Sequence, residues 1–292
     1  MVGTEGILYG FAACVCFALA PVFYERGSRD LPPSLANLVR LAAPLVVFTG
    51  YVLLSPTAAG LSSLTFPLVA IMLGVGGLHF GAADTLLIKG IQVIGPARAA
   101  TISSVYPIFV LLFLREPVSA RIIAGIALVT AGVYLVSTAR SSEGVEDEVG
   151  PWYGRGVFIP LGTAAGWGIG IAIFKTLVMS VPPELLNLGQ LTGAFLCLAV
   201  MNAATGRLRG LGSRLDRSSV VYMSAGGFFG TALGSLFMYK GLALERGSVI
   251  SSITAASPIL TALITLSLGE RVTARLFAGV IVTVAGIVLV VG

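Results

Sequence analysis

Charge is what this 292-residue chain has least of: Asp, Glu, Lys and Arg together make up 11%, under half of the roughly 25% carried by a soluble domain. Histidine occurs once and cysteine three times. So few charges cannot cover the surface of a soluble protein of this size, which excludes a soluble enzyme, a nucleic-acid binder and a disordered chain. One histidine among scattered carboxylates makes no metal site. No Gly-rich phosphate loop precedes a Lys-Ser/Thr pair, so neither a cofactor nor an ATPase activity is expected. Cys14, Cys16 and Cys197 all fall inside apolar runs and read as small buried hydrophobes. No Lys or Arg precedes the first apolar stretch, so a cleavable signal peptide is not expected and the first span should be retained.

Apolar residues fill the space that charge leaves. Hydrophobic residues reach 56%, glycine adds 37 residues, and mean hydropathy is +0.97. The runs are continuous rather than alternating with period two, so the expected spanning element is the helix and not the barrel strand. Charges, Pro-Pro pairs and Gly/Ser clusters delimit ten runs: 7–24, 35–54, 66–88, 99–114, 121–138, 157–179, 185–204, 220–242, 248–268 and 275–291. Each is long enough to cross the hydrocarbon as a helix at about 1.5 Å per residue, the fourth and tenth being the shortest. The expected fold is all-α and polytopic. Residues 1–139 form a first unit, 140–155 an acidic linker with Glu143, Glu146, Asp147 and Glu148, and 156–292 a second unit.

The two units repeat. Pro32-Pro33 with Asn37 recurs as Pro182-Pro183 with Asn187, at an offset of 150. Lys89-Gly90 and Pro107 recur as Lys240-Gly241 and Pro258, at 151. Residues 116–136 match 270–290 at 154, with ten of 21 positions identical, among them Glu116/Glu270, Arg121/Arg275, Gly125/Gly279 and Gly132/Gly286. Five spans per unit is an odd number, so the second unit must enter the membrane from the opposite side. That predicts two inverted five-helix repeats around a central cavity, an architecture of secondary transporters that work by alternating access.

With this arrangement, and with Pro107…Glu116…Gly125…Gly132 answered by Pro258…Gly269-Glu270…Gly279…Gly286, the chain resembles the drug/metabolite transporter superfamily over nearly its whole length. It is most similar to the EamA-type exporters and, within them, to YddG-like amino-acid exporters. The resemblance implies a multi-pass protein of the plasma (inner) membrane that exports small metabolites, amino acids including aromatic and hydrophobic ones foremost. Cationic drugs, or a sugar-phosphate or nucleotide-sugar exchange, are the alternatives, and a channel is a further one. It implies a small-molecule substrate and lipid as partners, no nucleic acid, and a monomer. The first unit departs from the pattern, since Arg115 stands where Gly269 stands in the second.

Polar groups inside spans are costly and need a reason. Arg40 and Asp84 lie at similar depth from the same side, as a structural ion pair or as a clamp on solute. His79, in Gly76-Gly77-Leu78-His79-Phe80-Gly81, is central in the third span. It is expected to face the cavity as a neutral hydrogen-bonding group with Trp167 and Tyr239 opposite. Trp167 and its mate Phe17 are placed to wall a cavity or to fill packing; Tyr106 and Tyr239 raise the same choice with a hydroxyl attached. Asn37, Asn187 and Gln190, the last the mate of Arg40, either contact solute or bond across helices. Lys89 and Lys240 read as span-end lysines. Glu116 and Glu270 read as turn residues ahead of the helix caps Ser119 and Thr273. Pro107 and Pro258 remove backbone donors inside spans and are candidate hinges.

Overall fold

The computed structural model describes residues 4–114, 119–138, 156–209, 212, 215–245, 250, 253–269 and 273–291. The acidic linker expected at 140–155, Arg115, Glu116 and Glu270 lie outside the described residues. No strand occurs among the described residues.

Among those residues, six helices are long and apolar enough to cross a membrane. They are α1 (Thr4–Gly27), α2 (Pro33–Leu54), α3 (Phe66–Ile94), α7 (Phe158–Leu177), α8 (Pro183–Ala204) and α9 (Arg217–Leu244). Shorter helices are α4 (Pro96–Ser103), α5 (Tyr106–Leu114), α6 (Ala120–Thr138), α10 (Ser257–Ser267) and α11 (Ala274–Val291). Local chemistry accounts for the ends. Proline sits in the first turn of α2, α3, α4, α8 and α10, where its missing N–H costs nothing. Asp216 caps α9 by accepting from the Ser219 amide at 2.9 Å, and that hydrogen bond holds its carboxyl below the usual carboxylate range. Ser119 and Thr273 accept from the amides of Ile122 and Leu276 in the first turns of α6 and α11. Gly95, at φ +82°, makes the sharp turn from α3 to α4 in a region that side chains avoid.

Three sequence expectations need correction. The third span does not end at Lys89 but runs on to Ile94; Lys89 is exposed within its last turns, where its long stem can carry the ammonium outward. The fourth span is two helices, broken at Ser104–Val105. Cys197 is exposed on α8, whereas Cys14 and Cys16 are buried. The outer face of a membrane helix is as apolar as its inner face, so hydrophobicity alone could not distinguish them.

Glycine controls how the helices meet. A Cβ on Gly76 would lie 2.3 Å from the Gln190 carbonyl oxygen, and one on Gly227 would lie 2.0 Å from the Arg40 carbonyl oxygen. These are repeat mates packed on repeat mates. The pattern is general: α1 packs on α9 as α7 packs on α3, and α2 on α9 as α8 on α3. The α6–α11 pair shows the symmetry directly. Gly279 lies against Val136, Gly132 against Thr283, and Gly286 against Val129, so residue numbers rise on one helix as they fall on the other. The helices are therefore antiparallel. Gly132 and Gly286 are mates and so are Val129 and Thr283, which makes the contact self-complementary, as a two-fold axis across the helices requires.

Candidate functional site

Both α3 and α9 are interrupted near the middle by a π turn, at Gly77–Ala83 and Phe228–Gly234. The two are related by the same 151-residue offset as Lys89 and Lys240. A π turn widens the helix and frees carbonyls from the i→i+4 ladder. The paired asparagines take them up. Asn37 Nδ2 donates to the carbonyls of Phe80 and Gly81 at 2.9 and 2.8 Å. Asn187 Nδ2 donates to the carbonyl of Ala232, the mate of Gly81, at 2.9 Å. Both asparagines are fully buried, and neither is on the wall of the cavity described next.

Between the two halves lies a cavity that encloses about 750 Å³ of empty space once its open mouth is included. Phe17, Tyr24, Arg40, His79, Asp84 and Tyr106 line it from the first half. Trp167, Ile171, Thr231, Ser235, Met238 and Thr254 line it from the second. The wall is thus mostly apolar and aromatic, with polar groups at a few points.

The charged group is a connected network. Arg40 forms an ion pair with Asp84 through Nη2 and Oδ2. Its Nε donates to Asn37 Oδ1 at 2.5 Å, Nη1 to the Tyr24 hydroxyl at 2.7 Å, and Nη2 also to the Phe80 carbonyl at 3.2 Å. Its guanidinium lies 5.1 Å from the Tyr24 ring centroid. The Tyr24 hydroxyl donates in turn to the Gly226 carbonyl at 3.0 Å. The other oxygen of Asp84 accepts from Trp167 Nε1 at 2.6 Å. Asp84 therefore ties the two halves together at the cavity wall, where the ion pair is almost fully buried. The repeat mates of Arg40, His79 and Asp84 are Gln190, Gly230 and Ser235, so the charge belongs to one half only.

The aromatic residues divide. Trp167 sits edge-on to both His79 and Tyr106, at 6.4 and 6.1 Å between centroids. Tyr106 hydrogen-bonds Thr254 Oγ1 at 2.8 Å, and Thr254 donates onward to the Ile250 carbonyl at 2.9 Å, which makes Tyr106 the donor in the first bond. Phe17 is on the wall. Tyr239 is not. It is fully buried behind the wall and donates to Gln190 Oε1 at 2.5 Å; Gln190 Nε2 in turn meets His79 Nδ1 at 3.2 Å. Pro107 and Pro258 each follow a break, at 104–105 and 255–256, and sit in the first turn of α5 and α10 beside the cavity residues Ser104 and Ser257. Lys240 pairs with Glu184 at 2.9 Å, away from the wall.

Sequence reasoning missed Tyr24 and the π turns. The π turns did carry a signal, since Gly76 and Gly227 recur in register ahead of them. Tyr24, on a different helix from Arg40, carried none.

Long apolar helices arranged as symmetry mates around a cavity define a multi-pass membrane protein built to handle a small molecule. The chain belongs to the EamA-like transporter family of the drug/metabolite transporter superfamily, whose model matches it twice, over residues 4–138 and 154–292. Members of this family are transporters, not enzymes. A solved structure described in words only as "Crystal structure of protein" shares the fold: TM-score 0.68, 18% identity, 98% of this chain and 96% of that one covered. No curated protein matches the chain.

Proposed function

We propose that the protein exports small zwitterionic metabolites, amino acids foremost, by alternating access between two inverted five-helix repeats. One observation carries this reading. The cavity wall has one full positive and one full negative charge, Arg40 and Asp84, and they are paired among aromatic and apolar side chains. A solute charged with one sign would lose its hydration and find no net opposite charge. A zwitterion presents a carboxylate to the arginine and an ammonium to the aspartate while remaining neutral overall. Phe17, Tyr106 and Trp167 then suit an apolar or aromatic side chain. The antiparallel packing of repeat mates supports exchange between two states that mirror each other across the membrane.

Counterflow in proteoliposomes tests it. Saturable exchange of labelled phenylalanine and leucine is expected, with little for an organic cation or a sugar phosphate. The reverse preference would overturn the reading, and non-saturable flux would indicate a channel. His79→Ala should lower amino-acid counterflow by about tenfold, as expected for losing one hydrogen bond to a charged group, and should also lower the melting temperature, because it leaves the buried Gln190 Nε2 without its partner. His79→Gln should retain part of the rate.

The same proposal includes ten spans, a monomer in the plasma membrane, and both termini outside. The odd-numbered connections and the span ends beside them hold Arg26, Arg29, Lys89, Arg98, Arg140, Arg155, Arg207, Arg209, Arg214, Arg217, Arg271 and Arg275; the even-numbered connections and their span ends hold only Arg115, Arg121, Lys240 and Arg246. Positive connections stay in the cytoplasm. A C-terminal phosphatase fusion is expected to be active and a fluorescent-protein fusion dark; the opposite pattern would invert the topology.

A further inference from the structure

We infer that Tyr239 and Gln190 are positioning residues that hold His79 as its Nε2–H tautomer, so that the first half meets the cavity with a hydrogen-bond donor whose identity is set by the second half. The chain of bonds starts at its buried end. The Tyr239 hydroxyl lies 2.5 Å from Gln190 Oε1. The hydroxyl donates and Oε1 accepts, so the glutamine oxygen faces the tyrosine. Gln190 Nε2 is then left 3.2 Å from His79 Nδ1. An amide nitrogen only donates, so Nδ1 must accept and carries no proton. A neutral imidazole with a bare Nδ1 has its proton on Nε2. An imidazolium is excluded by the same contact, because two donors would face each other.

Packing fixes the ring as well as the proton. A Cβ on Gly170 would lie 2.9–3.1 Å from His79 Cγ, Cβ and Nδ1, so that edge of the ring is pressed against α7. The Phe80 ring is 4.8 Å away between centroids and Trp167 stands edge-on. The Nε2 edge is left for the cavity, whose wall His79 helps to form. Nε2–H therefore joins the Arg40 guanidinium as a donor, while Asp84 supplies the acceptor. Which solute group meets that donor rests on the zwitterion reading above: it would be the carboxylate.

His79 is the only histidine in the chain, so 15N-histidine labelling gives one imidazole to read. In the substrate-free wild type at neutral pH, the expected spectrum is a single neutral ring with Nε2 protonated. An Nδ1–H ring or an imidazolium overturns the inference. Gln190→Glu is nearly isosteric and replaces the amide donor by an acceptor; it is expected to move a proton onto Nδ1. Gln190→Leu removes the partner and is expected to give a tautomer mixture. A pure Nε2–H ring in both variants overturns the positioning role. In folded Gln190→Glu the KM for phenylalanine should rise about tenfold, with a lower melting temperature because the new carboxyl is fully buried. A switched tautomer with wild-type KM would overturn the donor role. The spectra need no substrate, so failure of the amino-acid reading in wild-type counterflow leaves them independently decisive.

Discussion

Arg40→Ala and Asp84→Ala are each expected to destabilise the protein by about 3–5 kcal/mol, because each leaves the other's charge buried without its counter-ion. Arg40 is 1% exposed and Asp84 4%. After Arg40→Ala, Asp84 keeps the Trp167 indole N–H, a neutral donor that does not cancel its charge. The arginine variant should be the worse of the two. It also withdraws the donors that occupy Asn37 Oδ1 and the Tyr24 hydroxyl, and Asn37 secures the π turn of α3. The double variant should recover part of the loss, since no charge then remains unpaired. Thermal melting in detergent, run as a double-mutant cycle, decides this. Strictly additive losses would mean the two side chains are energetically independent.

The second large effect concerns backbone approach. Gly76→Ala and Gly227→Ala should each cost about 1–3 kcal/mol through overpacking, because the added methyl would meet a backbone carbonyl that no side-chain rotation can move. Gly74, two residues earlier on the same helix, has nothing within 4 Å of its Cβ position. Gly74→Ala should be neutral or should stabilise by roughly 0.5–1 kcal/mol, the usual gain over glycine within a helix. A uniform response at all three positions would show that helix propensity and not close packing governs α3 and α9. Because Gly76 and Gly227 stand next to the two π turns, both damaging variants should also slow counterflow, whereas Gly74→Ala should not.

The features behind these two effects were unequally visible in the chain. The membrane class, the long helices and the repeat are written locally: scarce charge, continuous apolar runs, and Asn37/Asn187 or Gly132/Gly286 recurring at fixed offsets can be read without knowing what touches what. Depth could be read as well. Arg40 and Asp84 lie at equal distances from the same side, and opposite charges in a low-dielectric interior come together. Span ends were less legible, as Lys89 shows, because a lysine near the interface does not terminate a helix when its ammonium can reach outward.

The direction of each side chain was decided by tertiary structure. Around a membrane helix, lipid and neighbouring helices are both apolar, so hydrophobic periodicity does not mark the inner face; hence Cys197 faces outward. Tyr239 and Trp167 looked like equivalent aromatics in the sequence, yet one is behind the wall and the other on it. Tyr24 meets Arg40 only because α1 and α2 both pack on α9, and Gly226 of α9 completes that bond from the other half of the chain. The sequence by itself determined that the protein is a membrane-embedded repeat with a polar cluster at depth, because composition and spacing are properties of the chain. Which of those polar groups face the cavity, and which hold others in place behind it, was decided by helix rotation and close packing, since a hydrogen bond's direction depends on partners far away in the sequence.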